Sequence, residues 1–154
     1  MLKQALLLTV TGMFLLQGGS TPATQVWKAS EIQDRGRALA KKLDAQKVAS
    51  ETIATVGNRS FMVAHREGSG QAEWHDKQAD VMFISSGTVT MIYGGTVVDG
   101  KTTAPGEIRG SGISGGTEVT LGPGDVLHVP AKTPHQMKLA PGAQVTYFVT
   151  KVIE

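Results

Sequence analysis

The chain has 154 residues, of which 18% are charged and 19 are glycine, and its formal net charge is +2. This length fits one domain, and many glycines between short apolar runs favour an all-β protein. Nucleic-acid binding is disfavoured because no Lys/Arg cluster with interleaved aromatic residues occurs. The absence of cysteine excludes disulfides and thiolate metal ligands.

Residues 1–23 have the order of segments found in a secretory signal peptide. Lys3 supplies a positive charge, residues 5–16 are largely apolar, and small or turn-forming residues follow up to Ala23. The apolar stretch is too short to cross a bilayer, and no later segment is long enough. We therefore expect cleavage after Ala23 and a periplasmic or secreted protein that has no membrane contact after cleavage.

A short helix is predicted next, within an N-terminal extension spanning residues 24–49. Ser30 is placed to cap the helix, and an apolar stripe that includes Ile32 and Leu39 runs to about residue 44. Its charged residues are expected to face water. The helix should pack on the outside of the domain or serve in a dimer contact.

From residue 50 to residue 154 the pattern changes to short apolar segments separated by Gly or Pro-Gly turns. The predicted strands are 51–56, 61–66, 72–77, 80–85, 88–93, 118–121, 125–129, 136–139 and 144–152. Short strands at this spacing predict a β-sandwich or a closed barrel in a single domain.

The segment 97–116 interrupts this pattern. It is rich in glycine and too long for a hairpin turn, so we predict a loop that covers a binding site. Arg109, next to Gly110, could bind a carboxylate or phosphate of a ligand. The alternative is an ordinary solvated arginine.

Four polar side chains are expected together at one end of the predicted barrel. Glu73 and His75 share a strand face because side chains alternate with a period of two, while Asp80 and His135 share the faces of Met82 and Met137 on other strands. If they point inward, they must be paired or must bind a cation. Two imidazoles with carboxylates and no sulfur suit one divalent transition metal, namely iron, manganese or zinc.

The same faces suggest substrate contacts and a catalytic candidate. Met91, Tyr93 and Met137 are expected to line the interior and to contact a small-molecule ligand together with Arg109. His65 could act as a general base or orient a ligand of the metal. The alternative for His65 is a hydrogen-bonded core residue.

The spacing around the cluster resembles the first motif of the cupin superfamily. That motif is Gly, five residues, His-x-His, three or four residues, Glu, six residues and Gly. Here Glu73-x-His75 is followed after four residues by Asp80, and after six more by Gly87. Glu73 stands where the family has its first His, Asp80 where it has Glu, and the opening glycine is shifted to Gly68.

The second cupin motif is Gly, five residues, Pro-x-Gly, two residues, His, three residues and Asn. Its spacing is matched from Gly124 through Pro130 and His135 to Leu139. Lys132 stands at the motif's second glycine and Leu139 at its Asn.

The resemblance covers about residues 60–152 and implies a fold, a ligand set and an assembly. The implied fold is all-β, a double-stranded β-helix (the jelly-roll or cupin barrel), with one N-terminal α-helix. Metal-binding cupins commonly use three His and one Glu, so the resemblance implies metal ligands at Glu73, His75, Asp80 and His135. Asp is one methylene shorter than Glu, so Asp80 could fall short of the metal. A homodimer is also implied.

Three functions are compatible with this sequence. The first is an exported metal-binding cupin that acts on or binds a small oxygen-rich molecule, its reaction being of the oxidoreductase, lyase or isomerase class. The second is a metal-free isomerase or epimerase-like enzyme in which His75 and Asp80 form an acid–base pair. The third is a non-catalytic barrel that holds a small ligand.

Overall fold

The computed structural model describes residues 24–154, so the predicted signal segment 1–23 lies outside the described residues. Within residues 24–154, one helix, α1, precedes thirteen strands. The helix spans Ala29–Leu39. The strands are β1 (Val48–Val56), β2 (Arg59–Arg66), β3 (Ala72–His75), β4 (Gln78–Gly87), β5 (Val89–Tyr93), β6 (Thr96–Val98), β7 (Lys101–Ala104), β8 (Glu107–Gly110), β9 (Gly112–Ser114), β10 (Thr117–Leu121), β11 (Val126–Val129), β12 (His135–Lys138) and β13 (Val145–Ile153).

Two large antiparallel sheets enclose the core. The five-stranded sheet has the order β1-β2-β13-β4-β11, the six-stranded sheet has the order β10-β5-β12-β3-β8-β7, and β6 pairs with β9 alone. Inward-facing apolar side chains from both large sheets pack together between them. They are Ala64, Met82, Ile84, Val89, Met91, Leu121, Met137, Val145, Tyr147 and Val149. This confirms the predicted all-β jelly-roll barrel with one N-terminal α-helix.

The helix packs on the outer face of the five-stranded sheet. Ile32 and Leu39 are buried against Val63 of β2. The helix is shorter than the predicted span and starts earlier, at Ala29. Lys28 is its N-cap and makes no side-chain cap, so the expected capping by Ser30 is wrong. No helix within the described residues is long and apolar enough to span a membrane.

A turn built on Asp44 ends the helical region and starts the sheet. The Asp44 carboxylate accepts hydrogen bonds from the backbone N–H groups of Gln46 and Val48, at 2.9 and 3.0 Å. Aspartate side chains commonly stabilise turns in this way, and the competing bonds disfavour helix. The helix therefore stops before the end of its apolar stripe, and β1 begins at Val48.

The segment 97–116 forms strands, so its prediction as a loop is wrong. Pro105-Gly106 is the turn of the β7–β8 hairpin, and Gly106 has φ +75°. Gly110 lets the chain pass β6 closely, because a Cβ there would lie 2.3 Å from the Val98 carbonyl oxygen. The strand β8 then pairs with β3. The segment therefore extends the wall of the barrel next to Glu73 and His75.

Candidate metal centre

Four side chains from three strands meet between the two large sheets. Glu73 and His75 lie on β3, Asp80 on β4, and His135 is the first residue of β12, directly opposite Glu73. One donor atom from each of the four lies within 4.8 Å of the others. His75, Asp80 and His135 are buried. The cluster is therefore the set of residues that the cupin resemblance implied.

Both histidines turn the same ring nitrogen toward the cluster. Nδ1 of His75 lies 2.6 Å from the carboxylate of Glu107, and Nδ1 of His135 lies 3.0 Å from the carbonyl oxygen of Thr133. Each acceptor fixes the proton of a neutral imidazole on Nδ1, which leaves the lone pair on Nε2. Both Nε2 atoms are buried and have no hydrogen-bond partner within residues 24–154. This is the arrangement that a metal ligand requires.

The distances between donor atoms fit the shell of one cation. Nε2 of His75 lies 3.4 Å from Glu73 Oε2 and 3.8 Å from Asp80 Oδ2. Nε2 of His135 lies 3.9 and 3.7 Å from the same two oxygens. Four ligands about 2.1 Å from a metal at tetrahedral angles would lie about 3.4 Å apart. The residues present could therefore hold a divalent transition metal with little rearrangement.

Two further residues of the site come from β8, and the sequence prediction used only one of them. The β3–β8 register places Glu107 opposite His75 and Arg109 opposite Glu73. Nη1 of Arg109 lies 3.3 Å from Glu107 and 3.5 Å from Glu73. The signal for Glu107 was its two-residue spacing from Arg109, which marks a shared strand face. The Arg109 charge is thus engaged by two carboxylates at the rim of the site.

Lys151 is the second residue that sequence reasoning missed. It lies opposite Asp80 on β13, and its ammonium is 3.1 and 3.3 Å from the two Asp80 oxygens. Burial raises the pKa of Asp80, but His135 and Lys151 together hold it below its ordinary value. A lysine on the inward-facing alternation of β13 was the available signal. Asp80 therefore remains ionised while buried.

The pKa values of Glu73 and His135 are also shifted by the charges of the site. Burial alone would raise the pKa of Glu73, but His75 and Arg109 lower it to about 2. Burial lowers the pKa of His135, but contact with Asp80 and with the Thr133 carbonyl raises it more. A metal would therefore have to displace a proton from His135 in weakly acidic solution.

A cavity of about 230 Å³ adjoins the cluster. Its lining includes Glu73, Asp80 and His135, and it also includes Arg109 and Met137, two of the predicted substrate contacts. The lining residues are Val48, Ser50, Met62, Ala64, Arg66, Gly70, Gln71, Glu73, Asp80, Met82, Arg109, His135, Gln136, Met137, Tyr147, Val149 and Lys151.

Four predicted site residues lie outside this lining, and one of them is His75, which belongs to the metal-ligand cluster. The other three are predicted ligand contacts or a catalytic candidate. Met91 is fully buried in the barrel core, and Tyr93 packs against that core. His65 lies between Ala64 and Arg66 on β2, and both of these residues line the cavity. Because side chains alternate along a strand, His65 faces away from the cavity. Its Nδ1 is 2.9 Å from Thr146 Oγ1. The structure does not bring His65 to the four-residue cluster.

No protein-family model matches the sequence, and no curated protein has a significantly similar sequence. The chain is similar in structure to a protein from Thermus thermophilus, with a TM-score of 0.55 at 16% identity over 76% of this chain and 92% of that one. It is also similar to a cupin-2 domain from Rhodospirillum rubrum, with a TM-score of 0.52 at 12% identity over 71% and 62%. A candidate mannose-6-phosphate isomerase from Ralstonia eutropha has a TM-score of 0.51 at 14% identity over 73% and 90%.

These similarities show the fold alone. The aligned region covers less than two thirds of several neighbours, for example 47% of one chain and 64% of another. At identities of 12 to 16% the likeness shows the fold and carries no activity with it. The chain therefore has the cupin-type fold that its two motifs predicted.

Proposed function

We propose that this chain is an exported cupin that binds one divalent transition metal and holds a small oxygen-rich molecule beside it. Glu73, His75, Asp80 and His135 would be the metal ligands. The observation that carries the proposal is the pair of buried Nε2 atoms of His75 and His135, which have no hydrogen-bond partner in the described part of the chain and face two carboxylates. A buried, unsatisfied imidazole nitrogen is costly unless a ligand completes it.

When bound, the metal would polarise an oxygen of the ligand or activate dioxygen. The chain's own residues would then orient the site. Glu107 fixes the tautomer of His75, and Arg109 keeps Glu73 ionised by its charge. Lys151 would supply a positive charge and a proton donor at the cavity edge of Asp80.

Metal binding is tested by metal analysis and by titration with Fe(II), Mn(II) and Zn(II). Protein purified without chelator should contain about one equivalent of a transition metal. His135→Ala should bind that metal at least a hundredfold more weakly, because one ligand is removed and the others remain. His128→Ala is the matched control, since His128 is exposed on β11 and should leave the affinity unchanged. Protein that binds none of the three metals would refute the proposal.

One observation favours the metal-free acid–base enzyme as a second candidate. Lys151 already provides a cation at Asp80, so the charge of this buried carboxylate is balanced without a metal. In that case Asp80 and His135 or His75 would exchange a proton with the ligand. A melting temperature that is high in chelator and does not rise with added metal would favour this second function.

Export and dimerisation belong to the same proposal and need separate tests. Cell fractionation of the full chain would locate the protein, and mass spectrometry of its N-terminus would show whether residues 1–23 are removed. Light scattering of the purified protein would distinguish a homodimer from a monomer. A cytoplasmic, unprocessed chain would contradict export without bearing on the metal site.

A further inference from the structure

Three arginine or lysine side chains line the cavity, and two of them form ion pairs. Arg109 contacts Glu73 and Glu107, and Lys151 contacts Asp80. The third is Arg66, which forms no ion pair within residues 24–154. Its Nε is buried and has no hydrogen-bond partner there. A buried guanidinium donor without a partner is costly, and an anionic ligand would relieve that cost.

The fold holds Arg66 toward the end of the barrel away from Lys151. Arg66 ends β2 and faces Val145 on β13, whereas Lys151 lies six residues further along the same strand. Gly70 packs against the guanidinium, because a Cβ at Gly70 would lie 3.1 Å from Nη1 and 3.3 Å from Cζ of Arg66. The Gly70 N–H in turn donates to the Met137 carbonyl at 2.8 Å. The backbone at Gly70, held by its hydrogen bond to Met137, therefore limits where the Arg66 guanidinium can lie.

Tyr147 adjoins Arg66 in the cavity lining and does not neutralise it. Burial raises the pKa of the Tyr147 phenol, and the smaller effect of Arg66 opposes this without reversing it. The phenol is therefore uncharged at neutral pH, and its hydroxyl can donate a hydrogen bond. Arg66 and Tyr147 together offer an anion several donors and one full positive charge.

The carboxylates at the other side of the cavity limit the charge of that anion. Glu73 and Asp80 both line the cavity, and each carboxylate already has a cationic neighbour, Arg109 at 3.5 Å and Lys151 at 3.1 Å. They would repel a dianion such as a phosphate monoester, whose second charge would have no cation of its own. A planar carboxylate also matches the two-pronged geometry of guanidinium.

We propose that Arg66 is the anion-binding end of the cavity and that it takes the carboxylate of a small organic monoacid. The ligand's hydroxyl or carbonyl oxygen would then point toward the four-residue cluster. This second half rests on the proposed metal function, whereas carboxylate binding by Arg66 does not. The ligand class is thus a short hydroxy or keto acid.

Carboxylate binding is tested on chelator-treated, full-length protein by NMR titration. The probes are butyrate and 3-hydroxybutyrate, with butyramide as the uncharged counterpart of butyrate. Both acids should bind and butyramide should not. Arg66→Gln should weaken the binding of both acids about tenfold or more, because a charge-assisted hydrogen bond is lost. Arg59→Gln is the matched control, since Arg59 is exposed at the other end of β2 and should bind both acids as the wild type does.

A second Arg66 variant and a titration of Mn(II)-treated protein test the proposal further. Arg66→Lys should fold if Arg66→Gln does not, and it should bind the acids with intermediate affinity because it keeps the charge but loses the planar fork. Absence of carboxylate binding in the wild type, or equal binding in the two Arg66 variants and the wild type, would overturn the proposal. In the Mn(II)-treated protein, 3-hydroxybutyrate should gain affinity relative to butyrate. If only this last gain is missing, the metal half fails and the Arg66 subsite stands.

Discussion

Lys132 shows how a single residue keeps a motif's geometry after its glycine is lost. Its φ is +62°, so the backbone has the left-handed conformation that the motif's second glycine would adopt easily. The Lys132 N–H donates to the His75 carbonyl at 2.7 Å. This bond ties the turn before β12 to the end of β3. The conformation therefore helps to bring His135 beside His75, at the cost of strain at Lys132.

We predict that Lys132→Gly stabilises the protein by about 1 kcal/mol. A non-glycine residue in the left-handed region costs about 1–2 kcal/mol. Glycine removes this strain, but its greater freedom in the unfolded state offsets part of the gain in stability. The ion pair of Lys132 with Asp76 spans 3.7 Å and Lys132 is largely exposed, so its loss should matter little. Urea denaturation at equilibrium measures the change.

The control for this change is Lys138→Gly, at an exposed position within β12. Lys138 is the last residue of β12, and glycine there should lower stability by up to about 0.5–1 kcal/mol. Equal losses in both variants would show that the Lys132 conformation is not strained.

At the scale of elements, the helix α1 approaches its sheet through Gly36. A Cβ at Gly36 would lie 2.5 Å from Cγ2 and 2.7 Å from Oγ1 of Thr146. Thr146 cannot turn away freely, because its Oγ1 is hydrogen-bonded to His65 Nδ1 at 2.9 Å. Glycine at this position is therefore a packing requirement, despite its poor helix propensity.

Gly36→Ala should destabilise the protein by about 1 kcal/mol. Alanine would gain about 1 kcal/mol in helix propensity, but overpacking against Thr146 costs about 1–3 kcal/mol. Thermal and urea unfolding measure the net effect, with Gln33→Ala on the exposed face of the same helix as control. A Gly36→Ala protein that is more stable than the wild type would mean that the helix can shift outward without loss.

The strands β3 and β8 show a second effect at this scale. Glycine and proline in the segment 97–116 resemble loop composition, yet they serve as turns between short strands. The pairing of β8 with β3 is a contact between residues more than thirty positions apart. The spacing of Glu107 from Arg109 marks a shared strand face, but local composition does not report which strand pairs with it, so the contact of Glu107 with His75 required the register.

At the scale of the whole molecule, the buried charges set how stability depends on pH. Glu73, with a pKa of about 2, and Asp80, with a lowered pKa, stabilise the folded state above their unfolded pKa values. That contribution is lost as pH falls through the folded pKa values. His135 has a raised pKa, so its contribution is present below about 6.5 and is lost as pH rises through the folded value.

We therefore predict that these groups make the metal-free protein most stable between about pH 5 and 6.5. Melting temperatures measured in chelator from pH 4 to 8 should fall on both sides of this window. With saturating Mn(II) the decrease in melting temperature above pH 6.5 should disappear. The metal binds the deprotonated histidine, so it competes less with protons as the pH rises. The same profile with and without Mn(II) would argue against metal binding at this cluster.

The sequence by itself determined the barrel, its helix and the four residues of the cluster. Alternating side chains, turn residues and the spacing of two motifs are local properties that can be read along the chain. Tertiary structure alone decided what surrounds the cluster. Cross-strand register joins distant segments, so that Glu107 reaches His75 and Lys151 reaches Asp80, while Arg66 forms no ion pair within residues 24–154. The alternating pattern of each strand sets which face is buried, but it does not name the partner strand, which depends on the packing of the whole barrel.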